Sequence, residues 1–472
     1  MEFEAAQTIL QEIDSDWTRC RRCIHSCFIG LSYEYTPCLT AAKLHLVGSN
    51  KAVHRRIFVV HEMIWNGPMP APFTKETPSE LPDFNNMEQA YAHLSSAELR
   101  RALWLFQTVG NARLVGLGKV LMQWAMALRI PVGWAIRPTI YRHFCGGETI
   151  EGSEAQVAKL NASGVRTILD YSAEGKEAED ELDSTFNAIL DAIQSTDQDP
   201  RHAFGVFKVS GIAPTAILEM VSAGETLSEQ QEKAWQRVQK RVDALCAEAA
   251  RIGTPVFIDA EESWLQPAID QLAEEQMQRH NRTEAWIFNT VQLYRHDRLA
   301  YLKALTEKAQ SGGFRIGVKL VRGAYMEKER LRASKLGIPS PIQPDKEATD
   351  RDYDAALEWC IQHVDSVSLC AGSHNEASSL LLCSKMRKSG LAVNDARIWF
   401  AQLLGMSDPI SFNLAAAGYN VAKYVPYGPI RDTIPYLIRR AEENTSVAGQ
   451  SSRELELIRR EFKRRSQVNR TR

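Results

Sequence analysis

The sequence predicts an α/β fold, a (βα)8 barrel of the TIM type, on three observations. Eight short β-rich runs recur beyond residue 160, at 165–171, 203–210, 254–259, 285–292, 315–321, 364–371, 397–403 and 419–425. Their apolar residues are mostly continuous rather than alternating, as expected of parallel strands covered on both faces. The stretches between them, such as 177–194 and 229–251, carry the mixed acidic and basic residues of outer helices. Eight strand–helix units in about 300 residues fit a closed barrel better than an open doubly wound sheet. The open alternative also lacks its phosphate-binding turn. The nearest glycine pattern, Gly116-Leu-Gly118, has Leu121 at the third glycine position and sits in a helical pattern.

The flanking segments differ from this core. Residues 1–80 hold four of the nine cysteines, and 18–75 carries eight Lys/Arg against Glu34 and Glu62. Cys20, Cys23, His25 and Cys27 lie close together, but no second pair stands at zinc-finger spacing, which argues against a metal site. The stretch 66–82 is rich in proline and polar residues and reads as a linker. Residues 1–80 are therefore expected to be a poorly structured extension, a candidate for an over-extended start assignment. Helical periodicity over 95–128 makes residues 81–160 read as a helical lead-in. The barrel is expected over 161–450, with a basic helix or tail over 451–472.

Composition removes several function classes. Apolar residues at 44% and charged residues at 24% describe a folded globular chain. A net charge of −2 gives no global attraction to a polyanion. The best apolar stretch, 114–136, is broken by Lys119, Gln123 and Arg129, so no membrane span is expected. Glu2, Glu4, Glu12, Asp14 and Asp16 fit neither a secretory signal nor a transit peptide. An odd number of scattered cysteines points to reduced thiols in the cytoplasm.

A barrel of this kind keeps its chemistry at the carboxyl ends of its strands. That rule selects Lys208 on the second predicted strand, Asp259 ending the third, Gln292 ending the fourth, and Lys319 on the fifth with Arg322-Gly323-Ala324 after it. Ser373 and His374 follow the sixth, and Tyr424 lies on the eighth. Singly, each has a bland reading, as a paired surface lysine or a structural histidine. Together they would converge on one mouth. The carboxylates of Asp259-Ala-Glu-Glu262 could hold Mg2+ or Mn2+, or Asp259 could pair with Lys208 on the neighbouring strand. The pairing is favoured, because Lys208 and Lys319 would oppose a divalent cation.

After the eighth strand a helix opens, with Asp432 or Thr433 as cap and Pro435 in its first turn. Tyr436 stands three and four residues before Arg439 and Arg440, so the three share a face. Two guanidinium forks suit a carboxylate or a phosphate. The plainer reading is a solvated face on which Arg439 pairs with Glu443.

These residues resemble those of the proline dehydrogenase family. The resemblance rests on Lys319-Leu-Val-Arg-Gly-Ala-Tyr325, Ile258-Asp-Ala-Glu-Glu262, Gly372-Ser-His-Asn375, Gln402-Leu-Leu-Gly-Met406 and Tyr424-Val-Pro-Tyr-Gly428 followed by Tyr436-x-x-Arg-Arg440, in the family's order. It covers about residues 80–465 and implies a distorted (βα)8 barrel. It also implies FAD as cofactor, oxidation of L-proline to 1-pyrroline-5-carboxylate, and a membrane quinone as acceptor. Arg439, Arg440 and Lys208 look like the groups that hold the proline carboxylate, and Asp259 like the partner that fixes Lys208. Tyr424 and Tyr436 would pack over the ring. Ala260, Gln292, Lys319, Arg322, Gly323, Ala324, Ser373 and His374 fall where the family contacts FAD. In one departure, Lys319 stands where some bacterial members place an arginine beside flavin N5. A lysine is a point donor and not a planar fork.

Hydride transfer requires no protein nucleophile, so the catalytic assignment goes to Asp259 and Lys319, which orient groups around the cofactor. Peripheral contact with the inner membrane is the expected setting, and Ser452–Arg472, with eight Lys/Arg and three Glu, is the candidate surface; a frayed, solvated helix is the rival reading. The enzymatic rivals are a hydroxyproline dehydrogenase and a Schiff-base aldolase or lyase with Lys208 or Lys319 as the amine. A nucleic-acid partner is not expected, since no aromatic-interleaved basic patch accompanies the tail.

Overall fold

The computed structural model describes residues 80–110, 133–171, 177–446 and 450–471, together with Val115, Gly116, Gly118, Trp124 and Leu128. The expectations for residues 1–79 lie outside it. Eight parallel strands close into a barrel in chain order. They are β1 Arg166–Tyr171, β2 His202–Lys208, β3 Val256–Asp259, β4 Ile287–Gln292, β5 Ile316–Val321, β6 Val367–Gly372, β7 Ile398–Leu403 and β8 Val421–Tyr427. Each overlaps its predicted run. β8 extends two residues further than the apolar pattern suggested, because Pro426 and Tyr427 still pair with Asp170 and Tyr171 of β1.

Alternation of side chains across each strand separates two apolar environments. Outward residues such as Phe207, Ile258, Val318, Leu369 and Phe400 pack under the surrounding helices. Inward residues build a plug: Phe204 stacks on Phe257 at 4.2 Å, with Phe288 and Trp399 edge-on at 5.3 and 5.4 Å. Burying each such ring contributes about 1.5–3 kcal/mol. Gly317 makes room for this plug, since a Cβ there would lie 2.5 Å from the Phe288 ring. The barrel interior is therefore filled by aromatic rings below the carboxyl ends of its strands.

A second apolar cluster lies outside the barrel. It joins the lead-in helices (Leu99, Phe106, Tyr141, Phe144) to Ile434, Tyr436, Leu437, Leu457 and Ile458 of the two C-terminal helices. The lead-in helix Ser96–Val109 starts from a capping box in which Ser95 and Glu98 exchange hydrogen bonds. The basic C-terminal segment is not a frayed tail. It forms the helix Gln450–Thr471, with Leu457 and Ile458 buried and Arg465 donating to the carbonyls of Tyr91 and Leu94 at 2.7 Å. Among the described residues no helix is long and apolar enough to cross a membrane.

Candidate active site

Strand parity carries four polar groups to one place. Lys208, Asp259 and Lys319 lie two positions after Val206, Phe257 and Gly317, and Tyr424 two after Ala422, so all face inward above the aromatic plug. Lys319 donates to Asp259 Oδ1 and to the Tyr424 hydroxyl. The Tyr424 hydroxyl lies 3.4 Å from the same Oδ1, and Lys208 Nζ lies 3.9 Å from Oδ2. The Lys319 ammonium is 4.7 and 5.0 Å from the ring centroids of Tyr424 and Phe257, close enough for cation–π attraction. With the Lys319 side chain 6% and the Asp259 side chain 14% exposed, the pair is largely screened from water.

Asp259 therefore has a nearer partner than the one anticipated. Lys208 is its neighbour in register across β2 and β3, but Lys319 reaches it from β5, two strands away. Reach across a barrel is invisible in the sequence, whereas strand adjacency is not. Burial first, and the Asp259 carboxylate second, push the Tyr424 phenol well above its ordinary value, so it stays protonated. The metal-site alternative fails on direction, because the clustered carboxylates diverge. Glu261 accepts from the Ser210 amide at 2.9 Å and from its hydroxyl, and Glu262 pairs with Lys328. Among the described residues no three His, Cys, Asp or Glu side chains are grouped to hold a metal.

The remaining candidates form a connected rim. Gln292 donates to the Glu261 carbonyl at 2.7 Å and accepts from the Ala324 amide at 3.3 Å. Ala260 is buried beside Asp259. Arg322 bonds Asp350 at 2.6 Å, Ser373 at 2.9 Å and Ser378 at 3.0 Å while lying 4.3 Å over the Tyr353 ring. Gly323 adopts φ +139°, and a Cβ there would stand 2.4 Å from the Tyr294 ring, so only glycine lets the chain pass. His374 Nδ1 lies 2.8 Å from the Ser407 hydroxyl. Burial, then Lys423, Arg440 and Arg322, lower its pKa to about 3, which leaves the imidazole neutral.

The helix after β8 spans Ile430–Ser446, so it begins before Asp432, and Pro435 lies inside it. Thr433 donates to the Ile430 carbonyl at 2.9 Å instead of capping. Arg440 and Tyr436 are buried, with the guanidinium 5.1 Å from the ring. Arg440 also helps to lower the His374 pKa through its charge. Arg439, one position earlier, is half-buried. Tyr436 belongs to the outer apolar cluster and Tyr424 to the barrel interior, with Leu403 packed against both. Sequence reasoning missed Phe257, which floors the site, and Ser407, whose left-handed backbone (φ 53°) no local pattern announces.

Comparison with known proteins bears on this geometry. A family model described as Proline dehydrogenase matches residues 153–453. The carbapenem antibiotics biosynthesis protein CarD of Pectobacterium carotovorum is 34% identical over 68% of the chain and 83% of its own length. A hydroxyproline dehydrogenase of Xenopus laevis is 30% identical over 79% of the chain and 88% of its own length. Among solved structures, proline utilization A from Bdellovibrio bacteriovorus, inactivated by N-propargylglycine, superposes with a TM-score of 0.60 at 19% identity. That match covers 77% of this chain and 38% of the other, and shows the barrel fold alone.

Proposed function

The chain belongs to the proline dehydrogenase family, and from that premise we propose that it oxidises L-proline to 1-pyrroline-5-carboxylate at the barrel mouth with FAD. The observation that carries this reading is the convergence of Lys208, Asp259, Lys319 and Tyr424 on one inward face. The C–H bond breaks at Cδ, the ring carbon next to nitrogen that does not bear the carboxylate, a C=N bond forms there, and the nitrogen loses a proton. FAD, when bound, supplies the acceptor for the hydride.

The residues present fit such a group. Lys319, Arg322, Gln292, Ser373 and neutral His374 are donors suited to carbonyl and phosphate oxygens, and glycine at 323 keeps the backbone flat where a side chain would intrude. Lys319 would face flavin N5 as a single donor, held in aim by Asp259 and Tyr424. Ala260 and Ala324 would contact the cofactor through backbone.

Substrate recognition follows from the other groups. One small carboxylate and one apolar ring call for cations and aromatics together. Arg439, Arg440 and Lys208 would take the carboxylate, while Tyr424 and Tyr436 would cover the ring and exclude water. A hydroxyl on the substrate ring would need space near the Tyr424 hydroxyl, which Lys319 and Asp259 hold in place, and this would favour proline over hydroxyproline. A Schiff-base role for Lys319 is disfavoured, because its ammonium is held by a carboxylate. A quinone acceptor and peripheral attachment to the inner membrane from the cytoplasm complete the proposal. Arg459, Arg460 and Lys463 remain exposed on the last helix, each worth about 1 kcal/mol near anionic lipid. The test is direct: purified enzyme with L-proline and a dye acceptor should release pyrroline-5-carboxylate. Borohydride trapping of a protein–substrate adduct, with no dye reduced, would replace this reading with the lyase one.

A further inference from the structure

We propose that Glu454, on the helix Gln450–Thr471, is a positioning residue for His374, acting through Ser407 on the turn after β7. The helix Asp408–Ala416 starts in an unusual way. Ser407 is its N-cap residue, and serine ordinarily caps with its own hydroxyl from an extended backbone. Here Ser407 is left-handed, at φ 53° and ψ 41°, and makes no side-chain cap. Its hydroxyl turns instead to His374 Nδ1, 2.8 Å away.

Glu454 does the capping in its place. Its Oε2 accepts from the Ser407 amide at 3.1 Å, and the Asp408 amide also hydrogen-bonds it. Glu454 is buried, so this carboxylate is committed to the turn. The amides and the helix dipole favour a carboxylate there, although burial and the neighbouring Asp408 carboxylate outweigh them and raise Glu454 to about 7; either form keeps an oxygen to accept from the Ser407 amide. The surroundings hold the turn in the same shape. Lys423 donates to the Met406 carbonyl at 2.7 Å and to Asp408 at 2.8 Å, and His143 Nε2 lies 3.0 Å from the Gly405 carbonyl. A non-glycine residue persists in left-handed backbone only where neighbours over-determine it. Ser407 is thus released from capping and presented to the histidine.

The consequence for His374 is a choice of tautomer. In this proposal Ser407 is the donor, so Nδ1 of the neutral imidazole accepts and Nε2 carries the proton, which leaves Nε2 as the ring's donor. The last helix, far along the chain from β6, thereby sets the chemistry of a rim residue. The cofactor consequence rests on the FAD reading above; the tautomer does not.

The experiment uses the full chain, with Ser407→Ala, Glu454→Ala and Glu454→Gln, and His374→Gln to assign signals. Selective 15N-histidine NMR should show the Nε2–H tautomer of His374 in the wild type. Ser407→Ala and Glu454→Ala should both move that signal, and Glu454→Gln, which keeps an accepting oxygen, should restore it largely. FAD dissociation constants, from flavin fluorescence, should rise about tenfold in the two alanine variants, as for one lost hydrogen bond, and no further in their double variant. A Glu454→Ala protein that unfolds more easily but keeps the His374 signal and FAD affinity of the wild type would overturn the proposal. If Glu454→Ala does not fold, Glu454→Gln against Ser407→Ala decides on the same two readouts. A protein that shows the tautomer changes yet binds no FAD would uphold the relay and sink the flavin reading instead.

Discussion

Lys319→Met removes an ammonium from the centre of the site and keeps most of its stem. Asp259 would then retain the Tyr424 hydroxyl at 3.4 Å on Oδ1 and Lys208 at 3.9 Å on Oδ2. Orphaning a fully buried charge costs about 3–5 kcal/mol. Here a second cation stands within reach and the Asp259 side chain is 14% exposed, which brings the loss to about 1–2 kcal/mol. Asp259→Asn leaves two lysines facing each other without their carboxylate, a loss of similar size. The double variant removes both charges, so its loss should fall short of the sum by about 1–3 kcal/mol. Urea unfolding of flavin-stripped protein is the assay, because bound ligand would otherwise add its own stabilisation. Single losses that add to within about 0.5 kcal/mol would refute the pairing. Each single variant should also slow proline oxidation more than it weakens proline binding, since the pair aims a donor at the reacting region.

Three further outcomes follow from the same geometry. Tyr424→Ser opens the space beside Lys319 and should raise the kcat/KM of hydroxyproline relative to proline; an unchanged ratio would remove Tyr424 as the discriminator. Gly323→Ala places a methyl 2.4 Å from the Tyr294 ring at φ +139°, and should cost about 2–4 kcal/mol with loss of bound flavin; a variant purifying with full flavin content would show that the backbone there is not tightly constrained. Burial raises Glu454 from 4.5 to about 7 and lowers His374 from 6.5 to about 3. The raised carboxyl contributes stability below pH 4.5 that is lost as pH rises toward 7, and the depressed histidine stability above 6.5 that is lost as pH falls toward 3. Against wild type, Glu454→Gln should gain in Tm as pH rises through the first window, and His374→Gln should gain as pH falls through the second. Curves parallel to wild type in either window would contradict the corresponding environment.

The barrel was legible because its signal is periodic and local. Eight β-rich runs with charged helical stretches between them leave few arrangements open, and the rule placing function at strand ends pointed among others to Lys208, Asp259, Lys319 and Tyr424, whose side chains lie together in the structure. Partnership inside the site was less legible. Asp259 takes Lys319 across the barrel in preference to Lys208 beside it, a choice made by side-chain reach and not by strand order. The least legible part was the C-terminal helix. Its eight Lys/Arg read as a basic helix or tail with no sign of what it packs on, while the residues that dock it, Leu457, Ile458 and Glu461, are few and spaced at one helical turn. Ser407 likewise gives no local sign, because its partners, Glu454 and His374, come from distant parts of the chain.

Absorbance in the flavin band, recorded anaerobically before and after L-proline is added to the purified protein, decides whether this barrel oxidises proline through a flavin. A yellow protein that bleaches with proline, and recovers when an acceptor is supplied, is the expected result. A protein that keeps its oxidised spectrum at saturating proline, or carries and binds no flavin, would contradict it.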